Sequence, residues 1–124
     1  MPNYSFAALR KTRECVIAIP AAKLASKVVE VGNTSGRDID KFAAFGLTPV
    51  PAKRVGAPLV AECLINLECK AIDTRLVNAY GLFILEVVKA WADPKQKNAK
   101  TIHHGGCGTF VVDGETIKLR SKMR

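Results

Sequence analysis

The apolar positions in the first half of the chain follow a helical period. Phe6 and Leu9 fall on one face of the segment Tyr4–Thr12, which predicts a short helix. A second helix is predicted to open at Pro20, whose fixed backbone suits a first turn, and to end at Gly32. Its apolar residues recur at helical spacing, at Leu24, Val28 and Val31.

Shorter elements are predicted around that helix. The apolar run Cys15–Ile19 indicates a buried strand. A third helix is expected from about Asp38 to Phe45, closed by Gly46. Three prolines then favour an extended connection, at Pro49, Pro51 and Pro58.

The second half of the chain changes to the period of a strand. From Leu59 to Ala71 every odd position is apolar. The even positions include Glu62, Asn66, Glu68 and Lys70. This alternation predicts one long, half-buried strand with its polar side chains on the opposite face.

Further strand signals follow. The run Tyr80–Trp91 is largely apolar on both faces, which indicates a strand covered on both sides. Residues 93–100 are polar and predict a loop, while Asp113-Gly114 suits the tight turn of a hairpin joining residues 109–112 to 115–119. The predicted helices lie mainly in the first half of the chain, and the long antiparallel strands lie in the second half. This order favours a single α+β domain over residues 1–124, with a barrel-like sheet.

The composition narrows the class of partner. The chain has 124 residues, a net charge of +8 and a pI near 9.6, so an anionic partner is expected. Its cations are spread over the sequence and accompany one Trp and two Tyr, which do not favour the stacking surface of a nucleic-acid binder. No apolar run approaches the about 20 residues of a membrane span, and the N-terminus lacks the apolar core of a secretory signal. A cytoplasmic protein with four reduced cysteines is expected.

The most informative motif is Ser35-Gly36-Arg37-Asp38, just before the third predicted helix. Ser35 and Asp38 have the spacing of a capping box, which needs no ligand. The same backbone N–H groups, with Arg37 and Lys41, would also suit a phosphate. These residues alone leave both interpretations open.

The wider segment favours the second interpretation. Residues 33–53, NTSGRDIDKFAAFGLTPVPAK, closely resemble a block of the flavin reductase-like proteins, whose fold is an FMN-binding split β-barrel. The resemblance covers most of residues 3–92, through Asn3-Tyr4-Ser5, the segment 14–20 and Leu67-Glu68-Cys69. It implies an α+β fold containing an antiparallel split β-barrel, with short helices in its N-terminal half.

The resemblance also implies roles for particular residues. Lys41 and Ser5 match positions that contact the FMN phosphate in similar proteins, and Tyr80 falls where relatives often carry a His close to the flavin or nicotinamide. A strand aromatic at the barrel rim is the alternative for Tyr80. The residues expected to bind the cofactor are Ser5, Ser35, Gly36, Arg37, Lys41 and Tyr80.

The segment HHGGCG raises a metal alternative. His103, His104 and Cys107 offer two or three ligands, but this His-x-x-Cys half-site lacks a CxxC partner, and no metal is expected. A glycine-rich turn before the final hairpin accounts for the same residues. Because a similar tail approaches the active site in relatives, His104 is a candidate contact for substrate or nicotinamide.

The start of the chain differs from the pattern that the resemblance implies. Flavin reductase-like domains carry several strands before the element that matches Asn3-Tyr4-Ser5, so the expectation is a partial barrel, truncated at its N-terminus or completed by a partner subunit. Unpaired strand edges invite pairing with another chain. The resemblance implies a homodimer.

The function implied is NAD(P)H-dependent reduction of flavin or a flavin-linked acceptor on bound FMN, which carries the electron chemistry. The sequence also allows two alternatives. One is a truncated split-barrel module with an assembly role and no catalysis. The other is a basic nucleic-acid-binding protein.

Overall fold

The structure, a computed structural model, describes residues 3–123. Its helices and strands, in chain order, are α1 Tyr4–Thr12, β1 Glu14–Ile19, a 3₁₀ turn Ala22–Leu24, α2 Ala25–Gly32, α3 Lys41–Phe45, β2 Pro49–Val50, β3 Leu59–Val60, β4 Ile65–Asp73, α4 Val77–Tyr80, β5 Ile84–Ala92, β6 Ile102–Gly106 and β7 Thr109–Val112. No helix in this part of the chain is long and apolar enough to cross a bilayer.

Helix α1 has the predicted bounds because both of its ends are capped. The Asn3 side chain accepts a hydrogen bond from the Phe6 N–H at 2.8 Å, which satisfies one of the free donors of the first turn. At the other end Arg13 adopts a left-handed conformation, φ 57°, and its N–H donates to Leu9 O at 2.8 Å.

Two of the predicted helix starts are wrong. Pro20 does not open a helix: Ala21 caps the 3₁₀ turn instead, and the Ala22 N–H donates to Lys100 O at 2.7 Å. Helix α3 begins at Lys41 rather than Asp38, because the Asp40 carboxylate accepts from the first free N–H groups of the helix.

The main sheet has three antiparallel strands in the order β1-β4-β5. Cys15 of β1 lies opposite Cys69 of β4, which in turn lies opposite Val87 of β5. Strands β2 and β3 form a separate two-stranded sheet, as do β6 and β7. Residues 3–123 form no closed barrel.

The long strand predicted from Leu59 to Ala71 is broken in two. The Asn66 side chain accepts from the Val60 N–H at 2.9 Å and donates to Val60 O at 3.0 Å, and the Cys63 N–H also donates to Val60 O. These bonds stabilise a turn over residues 61–64.

The next two strand predictions also need correction. Tyr80 belongs to α4, which Gly81 ends in a left-handed conformation, and the strand begins only at Ile84. The final hairpin pairs β6 with β7, whereas residues 115–119 form no strand. Asp113 does not make the hairpin turn, because its carboxylate accepts from the Thr101 N–H at 2.7 Å and hydroxyl at 2.8 Å.

Few apolar side chains are fully buried in the described part of the chain. Cys69 is 0% exposed, and so is Glu68, which the alternating pattern placed on a polar face. By contrast, many large apolar side chains stay more than a third exposed, including Ile17, Ile72, Leu82, Val87 and Val111. Where such side chains form one continuous patch, they are candidates for contact with a partner.

A candidate anion cradle and a neighbouring cavity

The loop before α3 brings Gly36 against the first turn of α1. A Cβ atom built on Gly36 would lie 3.3 Å from Cδ1 of Tyr4 and 3.9 Å from Cε of Lys41. The first distance is shorter than ordinary van der Waals contact, so only glycine lets the loop approach the Tyr4 ring this closely without displacing it.

Lys41 is held in place from the end of α2. Its Nζ is half-buried and donates to Val31 O at 2.7 Å, one of the carbonyls left free at the end of that helix. An ammonium group has three donors, and the described residues accept from this one only at Val31. Its remaining donors are therefore available to a ligand.

The first turn of helix α1 approaches this lysine through the Tyr4 ring, since that ring and Lys41 Cε both lie within 4 Å of a Cβ built on Gly36. The N–H groups of Tyr4 and Ser5 precede the first intrahelical bonds of the nine-residue helix, and neither has an acceptor among residues 3–123. The exposed Ser5 hydroxyl lies in the same turn. We name Tyr4, Ser5, Gly36 and Lys41 the cradle, since it combines free N–H donors, a hydroxyl and one cation.

The predicted capping box does not form. The Ser35 Oγ accepts from the Arg37 N–H at 3.2 Å, and Ser35 O accepts from the Asp38 N–H at 3.1 Å, so these residues build a turn that precedes α3. Ser35 and Arg37 thus flank Gly36 at the edge of the cradle. The Arg37 side chain is exposed and forms no ion pair with the described residues.

Tyr80 is not brought to the cradle. It ends α4, is 77% exposed, and stacks on no aromatic side chain of the described residues.

His104 lines a separate cavity of about 450 Å³ between the end of α2 and the β6–β7 hairpin. Its imidazole stacks on Phe110, with ring centroids 4.8 Å apart. Asn33 and Cys107 add polar atoms to the wall. A stacked imidazole in a partly apolar cavity can contact a flat ring.

The metal alternative gains no geometric support. Across residues 3–123, no three His, Cys, Asp or Glu side chains come close enough to hold an ion. His103 instead lies 3.5 Å from the Asp113 carboxylate.

The most tightly held group is one that the sequence pattern missed. The buried Glu68 carboxylate accepts from Trp91 Nε1 at 2.6 Å and from the backbone N–H groups of Lys53 and Arg54. Burial by itself would raise the pKa of Glu68, but the hydrogen bonds from Trp91, Arg54, Lys53 and Val55 outweigh it and lower that pKa. No signal in the sequence indicated this burial, because Glu68 occupies one of the polar even positions of the alternating run.

The sequence matches the flavin reductase like domain over residues 1–109. Among curated relatives, the uncharacterized protein YddH of Escherichia coli K12 is 35% identical over 113 residues, covering 82% of this chain and 60% of the relative. An uncharacterized protein of Archaeoglobus fulgidus is 30% identical over 112 residues, covering 86% and 63%. The chain therefore spans less than two thirds of the length of these relatives.

Solved structures share the fold. The FMN-binding domain of a flavin reductases-like enzyme from Shewanella baltica has a TM-score of 0.85 at 26% identity, covering 95% of this chain and 69% of that chain. Flavoredoxin of Desulfovibrio vulgaris has a TM-score of 0.80 at 23% identity, covering 97% and 69%. These similarities confirm the predicted α+β fold of split-barrel type. With the domain match over most of its length, the chain belongs to the flavin reductase-like family.

Proposed function

We propose that this chain is an FMN-binding flavoprotein that uses NAD(P)H to reduce flavin or a flavin-linked acceptor. The observation that supports it most strongly is the cradle. There, a half-buried lysine and the first turn of α1 both approach Gly36, where an added Cβ would lie only 3.3 Å from the Tyr4 ring.

The cradle fits the phosphate of FMN in its chemistry. A phosphate monoester carries two negative charges or nearly so and accepts several hydrogen bonds. Lys41 supplies a charge and spare donors, Tyr4 and Ser5 supply backbone N–H groups, and the Ser5 hydroxyl supplies one more. Ser35 and Arg37 add a hydroxyl and a guanidinium at the edge of the proposed site.

When bound, FMN supplies hydride acceptance and onward electron transfer, while the protein binds and orients. Fixing the phosphate at the cradle leaves the ring to be positioned by other side chains. His104 and Tyr80 are the proposed contacts to the nicotinamide and the flavin ring. Of the two, His104 has the better support, because it lines a cavity beside the end of α2.

The experiment is to add FMN to the purified chain, remove the excess by gel filtration, and record the visible spectrum. We expect about one flavin per chain and oxidation of NADH or NADPH when flavin is present. A chain that elutes without flavin, and does not change the spectrum of equimolar FMN, would refute the cofactor proposal.

A second candidate is an assembly module without catalysis, and the exposed apolar surface favours it. Both candidates share two proposals. Residues 1–124 form a single domain, and two copies of the chain form a homodimer. The two candidates differ in that the assembly module predicts a stable oligomer that neither retains flavin nor oxidises NAD(P)H.

A further inference from the structure

A second basic site lies at the opposite end of α1 from the cradle. A cavity of about 200 Å³ opens there, between the end of α1, the end of β4 and α4. Its polar wall consists of Arg10, Arg13, Thr74 and Asn78, and Phe83 forms its apolar side.

The backbone around this cavity is firmly held. The Arg13 N–H donates to Leu9 O and its carbonyl accepts from the Ala71 N–H, both at 2.8 Å, so the residue is fixed to both α1 and β4. The loop that carries Phe83 is held against α1, because the Phe83 ring packs edge-on against Phe6 with centroids 5.5 Å apart. Arg13 and Phe83 are therefore held in place at the cavity.

The two arginines have no counter-charge in the described part of the chain. Neither Arg10 nor Arg13 forms an ion pair there. Asp73, which precedes Thr74 in the sequence, is already bound to Arg75 through two hydrogen-bonded carboxylate oxygens, with Nη2 to Oδ2 at 2.6 Å. Glu14, the residue after Arg13, accepts instead from the Gly56 N–H at 2.8 Å.

Cations in the last turn of a helix often do no more than offset its dipole. That explanation accounts for Arg10, but it does not account for Arg13. An arginine tolerates a left-handed backbone poorly, and glycine would fill the same cap without strain. At Arg13, the strained conformation holds a guanidinium at a cavity that also offers a hydroxyl and an amide.

From this geometry we propose that Arg10, Arg13, Thr74 and Asn78 form an anion-binding site for the phosphate or carboxylate group of a small molecule. Guanidinium groups match the paired oxygens of both anions, and the hydroxyl and amide add neutral donors. The site is separate from the cradle and does not depend on flavin binding there.

The test is an NMR titration of the chain at constant ionic strength, with the arginine Nε–H resonances as site-specific probes. Inorganic phosphate is one ligand and citrate is the other, which separates the two anion classes. We expect saturable shifts at Arg10 and Arg13 with at least one ligand, and none at Arg75, whose guanidinium already holds Asp73. Shifts that do not saturate, or that are equal at Arg75, would overturn the proposal.

Variants test the same site without disturbing the fold. Arg13→Gly removes the guanidinium at a backbone conformation that glycine prefers, so its fold is expected to be retained. It should raise the dissociation constant at Arg10 by about tenfold or more, whereas the control Arg75→Gln should leave it unchanged. An unchanged dissociation constant in Arg13→Gly would contradict the proposed site. Because the Nε–H resonances of Arg10 and Arg13 belong to the opposite end of α1 from the cradle, the outcome does not depend on FMN binding.

Discussion

At the residue scale, Glu68 connects three parts of the molecule. Its carboxylate ties β4 to Trp91 on β5 and to the backbone of Lys53 and Arg54 in the loop between β2 and β3. Lys53 and Lys89 in turn lie 5.4 and 4.7 Å from the centroid of the Trp91 ring. A buried carboxylate with several donors is costly to disturb, because removing it leaves those donors unpaired.

We therefore predict that Glu68→Gln strongly lowers the thermal unfolding midpoint at pH 7, whereas Glu86→Gln, at an exposed position of β5, has little effect on it. Burial raises the pKa of Glu68, but hydrogen bonds led by that from Trp91 lower it overall below the ordinary value of 4.5. Folding thus favours the ionised form, and this contribution is complete above pH 4.5 and is lost as the pH falls through the lowered pKa.

The measurement is the midpoint difference between wild type and Glu68→Gln from pH 7 down into the acid range. The difference should narrow below about pH 4.5, and a difference that stays constant would contradict the role given to the carboxylate. If Glu68→Gln does not fold, Trp91→Phe removes a single donor and should show a smaller effect of the same sign at pH 7.

At the element scale, the ends of helices were predictable and two of their starts were not. Helices α2 and α3 end at Gly32 and Gly46 as expected. Gly46 caps α3 in a left-handed conformation that glycine adopts without strain, whereas Gly32 is the last residue of α2 and Asn33 is its cap. Ser35 and Asp40 can each act as the N-cap of a helix, and the sequence alone does not show which of them caps α3. In the structure, Ser35 satisfies its own turn and Asp40 caps the helix.

The two glycines predict opposite effects of the same substitution. Gly46 has φ 64°, so Gly46→Ala should destabilise the protein by about 1 kcal/mol, through a backbone conformation that alanine resists. Gly32 has no positive φ and nothing within 4 Å of a built Cβ, so Gly32→Ala should stabilise it by about 0.5 kcal/mol. Urea unfolding of both variants checks the signs, and the same sign for both would contradict the assigned helix ends.

The strand errors share a physical cause. The alternation in residues 59–71 shows which side chains are apolar. It does not show that the Asn66 side chain forms hydrogen bonds with the Val60 backbone and so stabilises a turn. It also could not show that Glu68 would find donors from distant parts of the chain. Likewise, the Ser35–Lys41 block identified the family, whereas the contact of Gly36 with Tyr4 depends on how α1 packs.

At the scale of the whole molecule, the two outer strands of the main sheet expose apolar side chains on one face, although Cys69 at the centre of that face is fully buried. Val87 of β5, 50% exposed, lies in the same cross-strand row as Cys69 and Cys15, and Ile17 of β1 follows on that face at 41%. We propose that a second copy of the chain covers this face.

Sedimentation equilibrium should then give twice the chain mass of 13.4 kDa. Val87→Lys should shift the population toward monomer, since a charge would be buried in the interface. Val111→Lys is the matched control, because Val111 is also exposed but lies on the separate β6–β7 hairpin. A wild-type monomer at micromolar concentration, or equal effects of both variants, would contradict the proposal.

The central claim is that the cradle holds a phosphate. The most direct measurement compares the binding of FMN with that of riboflavin, which lacks the phosphate, in wild type, Lys41→Met and Lys27→Met. Lys27 is the control because its Nζ also donates to a backbone carbonyl, that of Gly46, away from the cradle. We predict that wild type and Lys27→Met prefer FMN over riboflavin by about tenfold or more, and that Lys41→Met loses most of this preference. Equal affinities for FMN and riboflavin in the wild type, or a preference that survives in Lys41→Met, would contradict the account.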